Sequence, residues 1–287
     1  MLITVVTPTY NRAYLLPRLY NSLCGQTCRD FEWIVVDDGS TDDTESILKS
    51  FIADGKLNLR YLKKNNGGKH TAVNLGVKEA KGELLFIADS DDWLPSGALA
   101  DVTEMYDSIK DDDSFAGVCG LDEYDGGKVV GSGLPKPVID AYPQEISTAW
   151  GVNGDLKEVL RTKIMQKFPF PEIDGEKFCP EVLVWNRIGL KYKLRYFNKP
   201  IYTVEYQSDG LTKGITRARM KSPVASMMTY SEGFSQAKTF RQKVKAAINF
   251  WRFAFCAPMH RRISISGWGN LLMPIGFIFH IRDTRSN

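Results

Sequence analysis

Over the first hundred positions, apolar and polar residues alternate in whole segments. "LITVVTP", "EWIVVDDGS", "LNLRYLKK" and "ELLFIADSDD" are apolar runs, and the second and fourth end abruptly in acids. The segments between them carry helical signals. Leu15, Leu16, Leu19 and Leu23 have helical spacing within 12–26. "TDDTESILKSFIADG" opens with Thr41 and Glu45 near a helix start and closes at Gly55, and "NNGGKHTAVNLGVKEAKG" is a Gly-rich turn leading into a helix predicted to end at Gly82. Apolar strands alternating with helices predict βαβ units and a parallel sheet covered on both faces.

The polar clusters follow the strands: Thr7 to Asn11, Asp37 to Ser40, Asn65 to Lys69, and Asp89 to Asp92. In open α/β sheets ligands bind at the carboxyl ends of the strands, so the four clusters are expected on one edge of the sheet. Beyond residue 114 the pattern is less regular. "VCGLDEYDGGKVVGSG" predicts a hairpin with a Gly-Gly turn. Residues 173–212 predict a loop, a helix from about Pro180 to Leu190, and strand-like segments. From about 216 the pattern is helical, with an apolar stripe at Phe240, Val244, Ile248, Trp251 and Phe255. The later stretch "WGNLLMPIGFIFHIR" is apolar but interrupted by Pro274 and Gly276, too short a run to span a bilayer.

Composition adds little until charge is divided along the chain. With 43% hydrophobic and 25% charged residues in 287, the chain is ordinary globular protein, sized for one large domain or one with an appendage. "MLITVVTPTYN" reads as a strand, without the basic start of a secretory leader. Five scattered cysteines form no C-x-x-C pair, which speaks against zinc and a disulfide framework and points to a reducing cytoplasm. Residues 235–287 hold nine Lys/Arg and one acid, Asp283, while the other 234 residues hold 28 basic and 33 acidic ones. This basic amphipathic tail is expected to meet an anionic surface, such as the inner face of the cytoplasmic membrane, or to pack on the domain or in a homodimer.

Asp89, Asp91 and Asp92 crowd at the exit of a buried strand, where like charges repel; a divalent ion relieves that repulsion, and Mg²⁺ typically takes one or two carboxylates with substrate phosphates. Asp37 and Asp38 offer acceptors for a ribose hydroxyl or base N–H. Gly67, Gly68, Lys69 and His70 offer exposed N–H donors, a helix start and a cation to an anionic group. Tyr10 offers a stacking face.

"VVTPTYNR", "WIVVDDGSTDDT", "NNGGKHTAVNLGVKEAKGE" and "FIADSDDW" resemble, in order and spacing, the motifs of the family 2 glycosyltransferases over about residues 1–115. The resemblance implies a GT-A fold: a Rossmann-like, nucleotide-sugar-binding mixed α/β sheet flanked by helices, here with a C-terminal helical extension. With the helical pattern of the tail, the chain is expected to divide into a GT-A domain over 1–215 (1–115 for the nucleotide-sugar, 116–215 for the acceptor) and a basic amphipathic helical region over 216–287. The resemblance implies inverting transfer from a nucleotide-diphosphate sugar, expected to be a UDP-sugar, to a saccharide or lipid-linked saccharide in polysaccharide biosynthesis. Tyr10 would stack on the base. Asp38 would bond base or ribose with Asp37 beside it, and Lys69 would approach the diphosphate. Asp89 would lean toward ribose or sugar, and Asp91 with Asp92 would bind Mn²⁺ or Mg²⁺. Pro8 and Arg12 beside Tyr10, Gly67 beside Lys69, and Ser90 within the D-x-D join the nucleotide-sugar set.

The family's general base is commonly the Asp of a Glu-Asp pair before a helix carrying an aromatic and an Arg. Alignment on Trp185 and Arg187 puts Pro180-Glu181 there, so Glu181 is the expected base and Glu176 the second candidate. Two other arrangements share part of the pattern: a binding-only partner subunit of the same fold, and a Mg²⁺-dependent phosphate-receiver module, whose acidic pair would follow a different strand. Nucleic acid is not an expected partner.

Overall fold

The computed structural model describes residues 1–205 and 214–286. The end of the strand-like stretch expected up to Thr212 lies outside them. The chain divides into two compact units, one of Met1–Pro169 with Trp185–Gln207, the other of Phe170–Val184 with Ser208–Asn287.

The first unit opens with β1 (Ile3–Thr9), α1 (Leu16–Cys24), β2 (Phe31–Asp37), α2 (Thr44–Asp54), β3 (Leu59–Lys63), α3 (Lys69–Glu79), β4 (Leu84–Ile87) and α4 (Ala98–Asp107). β1 to β4 and the three helices between them are the elements that the hydrophobic pattern predicts. β1 and β2 are buried at every position, and α1 buries Leu16, Leu19, Tyr20 and Leu23. Trp33, Phe86 and Tyr106 are fully buried in the resulting core; burial of each such side chain is worth roughly 1.5–3 kcal/mol.

Helix α3 stops at Glu79, short of the expected Gly82. Gly82 serves another purpose: its N–H donates to Thr4 Oγ1 at 2.8 Å, and a Cβ there would lie 2.5 Å from the Thr4 nitrogen. Only glycine lets the chain pass so close to β1.

There follow β5 (Phe115–Tyr124), β6 (Val138–Ala141), α5 (Pro143–Thr148), β7 (Leu156–Arg161), α6 (Thr162–Lys167), α7 (Glu181–Gly189) and β8 (Lys193–Val204). The Gly-Gly turn after β5 is present, with positive φ at Gly126 and Gly127, but its return arm is a single bridge between Glu123 and Val129. The eight strands form one sheet in the order β3-β2-β1-β4-β7-β5-β8-β6. β1 to β4 pair in parallel, β7 runs antiparallel to both β4 and β5, and β5 is parallel to β8. The sheet is therefore mixed, as the GT-A resemblance implies. From β1 the chain runs outward through β2 to β3 and then returns to place β4 on the other side of β1. That reversal opens a crevice at the carboxyl ends of β1 and β4.

The second unit holds α8 (Ile215–Lys221), α9 (Pro223–Gln236), α10 (Phe240–Ala254) and α11 (Met273–Ser286), with short 3-10 turns at Met259–Arg261 and Gly267–Leu272. It also takes in Phe170–Val184, which includes the first turn of α7. Two tail expectations are corrected. The buried face of α10 is Ala246, Ala247, Phe250, Phe253 and Ala254, not the predicted stripe, whose Phe240 is 73% exposed. The helix packs on two sides: Phe255 of the predicted stripe meets Phe277 of α11 edge to face at 4.9 Å. Pro274 and Gly276 do not interrupt α11. Pro274 occupies its first turn, where a missing N–H costs nothing, and Gly276 admits Trp251, whose Cβ would lie 2.4 Å from a Cβ at 276. Asp283, the lone acid of the tail, is buried against the Arg252 guanidinium, which donates to it at 2.9 Å.

Candidate active site

The crevice between β1 and β4 gathers the polar clusters. Tyr10, just past β1, is 47% exposed, so its ring is open to stacking. The turn behind it is pinned: Asn11 takes φ +52, its N–H donates to Ser40 Oγ at 2.8 Å, and its side-chain oxygen accepts from Thr41 N at 2.8 Å. Arg12 donates to the Tyr14 hydroxyl at 3.1 Å. Pro8 is buried within β1.

Asp37 and Asp38 are both buried, and their carboxylates are engaged within the protein. Asp37 accepts from Ser40 N at 2.7 Å and the Tyr61 hydroxyl at 2.9 Å. Asp38 accepts from Gly67 N at 2.9 Å, Gly68 N at 2.7 Å and Lys64 Nζ at 2.7 Å. Asp38 thus ties the end of β2 to the glycine loop, and that loop delivers Lys69 to the start of α3. Lys69 points at the acidic cluster, with Nζ 2.7 Å from Asp89 Oδ1.

Among the described residues, Asp89, Asp91 and Asp92 form a group whose ligand oxygens all lie within 4.8 Å of one another. Ser90 between them is buried. Burial works against the charged form of Asp89, but the Lys69 and Lys157 ammonium groups hold it below the usual carboxylate range. Burial, and then the Asp89 charge, raise Asp91 and push Asp92 up to about 7. One carboxylate is thus neutralised by lysine, while burial and the Asp89 charge disfavour the charged forms of the other two, a cost that a bound cation would relieve. Hard oxygen donors in this density fit Mg²⁺ or Mn²⁺.

Other partners of the cluster carry no local sequence signal. Arg18 of α1 donates to the Asp91 carbonyl, pairs with Glu205 at 2.7 Å, and lies 3.9 Å over the Trp93 ring. Glu205 N in turn donates to Asp92 Oδ1 at 3.0 Å. Asp89 N donates to the Tyr202 hydroxyl at 2.6 Å, and Lys157 Nζ lies 3.7 Å over the Tyr202 ring. The end of β8 therefore braces the acidic turn from the far side of the sequence.

The two base candidates differ in environment. Glu176 is buried, and its carboxylate accepts from Val224 N at 2.8 Å and Ala225 N at 2.9 Å, which caps the start of α9. Glu181 is half-buried at the first position of α7.

A family model described as glycosyl transferase family 2 matches residues 4–128. A Campylobacter jejuni protein, GalNAc(5)-diNAcBac-PP-undecaprenol beta-1,3-glucosyltransferase, is 30% identical over 227 residues, which is 75% of this chain and 68% of that one. The chain belongs to the family 2 glycosyltransferases. The fold agrees. S. aureus TarS 1–349 in complex with UDP-GlcNAc superposes with a TM-score of 0.64 at 20% identity, covering 99% of this chain and 90% of that one. The mannosyltransferase PcManGT from Pyrobaculum calidifontis, in complex with GDP-Man and Mn²⁺, gives 0.57 at 18% identity, covering 99% and 75%. This family 2 glycosyltransferase has the GT-A fold and uses a nucleotide-sugar donor.

Proposed function

We propose that this glycosyltransferase is an inverting, metal-dependent enzyme that moves a hexosyl or N-acetylhexosaminyl group from a UDP-sugar to a hydroxyl of a lipid-linked saccharide. The observation that carries this reading is the cluster of Asp89, Asp91 and Asp92 within 4.8 Å at the β1/β4 crevice. The donor would lie along that edge, its base on Tyr10 and its diphosphate at the cluster. Asp38 contributes by holding the glycine loop, and Lys69 sets a positive charge beside the diphosphate. Asp91, with Asp92, would hold Mn²⁺ or Mg²⁺; when bound, the ion stabilises negative charge growing on the departing diphosphate.

Glu181 is the general base. Its carboxylate takes the proton from the acceptor hydroxyl as that oxygen attacks the anomeric carbon opposite the leaving group. Glu176 is set aside because both its oxygens cap α9. The first test is donor hydrolysis. Release of nucleoside diphosphate from UDP-sugars in Mn²⁺ should be abolished by chelation. Binding without release across a broad donor panel would leave a binding-only subunit.

The lipid-linked acceptor is supported by the undecaprenol-linked substrate in the name of the Campylobacter relative and by the second unit. Among the described residues no helix is long and apolar enough to cross a membrane. Leu271, at the end of the Gly267–Leu272 turn, and Ile275 and Ile278, one turn apart on α11, are exposed at 78%, 40% and 65% in a strongly basic region. Apolar side chains with surrounding Lys and Arg suit the surface of an anionic leaflet. The chain should float with phosphatidylglycerol vesicles in a density gradient and stay at the bottom with phosphatidylcholine alone. Replacing Leu271, Ile275 and Ile278 with Ser should end flotation; unchanged flotation would remove this face from membrane binding.

A further inference from the structure

Asp122 lies on β5 and takes no part in the acidic cluster. It is 5% exposed, and Oδ1 has no hydrogen-bond partner among the described residues. A buried acceptor left unpaired is destabilising, so its persistence asks for a partner that arrives with a ligand. Burial pushes the carboxyl up to about 6, against the pull of the Lys157 ammonium.

The topology puts Asp122 on the donor edge. β7 is antiparallel to both β4 and β5, so the end of β5 and the start of β7 emerge beside the end of β4. Lys157 is paired with Gly120, two residues before Asp122 and therefore on the same face of β5. The β5–β8 register shifts between Leu121 and Asp122, an irregularity of the kind that re-aims a side chain. Tyr202, the register partner of Asp122, accepts from Asp89 N and carries Lys157 over its ring. Along the edge the order is Tyr10 after β1, the acidic cluster after β4, then Lys157 and Asp122 on β7 and β5. A nucleotide-diphosphate sugar laid over the first two places its sugar next to the third.

We propose that Asp122 accepts a hydrogen bond from a hydroxyl of the transferred sugar and so determines which sugar the enzyme takes. This rests on the donor-site reading under Proposed function. A hydrogen bond to a charged acceptor is worth about 1.5–3 kcal/mol, or roughly 10–100-fold in kcat/KM. The test uses the full chain with a panel of UDP- and GDP-sugars and with monodeoxy analogues of the best donor. Asp122→Asn should lower kcat/KM for that donor roughly 10–100-fold and leave the affinity for the free nucleoside diphosphate unchanged. One deoxy analogue should lose as much with the unaltered enzyme and lose nothing further with Asp122→Asn, a coupling that a merely structural residue would not give. Equal kcat/KM for Asp122→Asn and the unaltered enzyme on all donors would overturn the proposal. So would deoxy analogues that all match the parent sugar, a measurement that needs no variant to fold. Failure of the unaltered enzyme to use any donor would instead count against the donor-site reading itself.

Discussion

Asp91→Asn should reduce Mn²⁺-stimulated release of nucleoside diphosphate by about 10²–10³-fold, the several kcal/mol that a metal's charge contributes to such a leaving group. The loss should fall on metal-dependent donor affinity as well as on turnover, while nucleotide binding without metal stays near its original strength. Folding cannot account for it. Burial and the Asp89 charge raise Asp91 above the ordinary carboxylate range. A carboxyl raised in the folded state favours folding below its unfolded pKa, and that contribution is lost as pH climbs through the folded value. The charged Asp91 therefore burdens the metal-free fold at pH 8, and the variant should melt no lower than the parent there. Retained Mn²⁺ stimulation in Asp91→Asn would shift the ligand role to Asp92.

Glu181→Gln should lower kcat by about 10²–10⁴-fold, the usual worth of a general base, and leave UDP affinity unchanged. Glu176→Gln is the informative contrast. Its carboxylate bonds two backbone N–H groups at the start of α9. Loss of that charge weakens a cap worth around 1 kcal/mol, lowering Tm while turnover stays within a few-fold. The opposite pattern, a normal Tm with kcat lost in Glu176→Gln, would exchange the two roles.

The first half of the fold was legible because its information is local. β1 to β4 are continuous apolar runs, and each helix between them carries its own spacing and punctuation. The acidic cluster was legible for the same reason: three carboxylates in four positions at a strand end need no tertiary knowledge. β7 escaped detection because "LKEVLR" carries Lys157, Glu158 and Arg161 in a strand that reaches the polar edge of the sheet. Arg18 escaped because its partners, Glu205 and Trp93, stand far along the chain and nothing in α1 announces them. In the tail, proline and glycine read as breaks. One sits in a first turn and the other at a close helix contact, and both depend on neighbours that sequence spacing does not reveal. The carboxylates of Asp37 and Asp38 match a ligand motif, and their hydrogen bonds run to Tyr61 on β3 and to the protein's own loops.

Those bonds bear on the entropy of association. A loop containing Asn65 to Gly68 would ordinarily sample many backbone conformations, and ordering each residue costs roughly 1–2 kcal/mol. Here Asp38 grips two successive loop amides and Lys64, so that ordering is completed as the chain folds. A donor bound as proposed would then meet a preorganised receptor, and the free energy of its contacts would go to affinity and orientation instead of to freezing the protein.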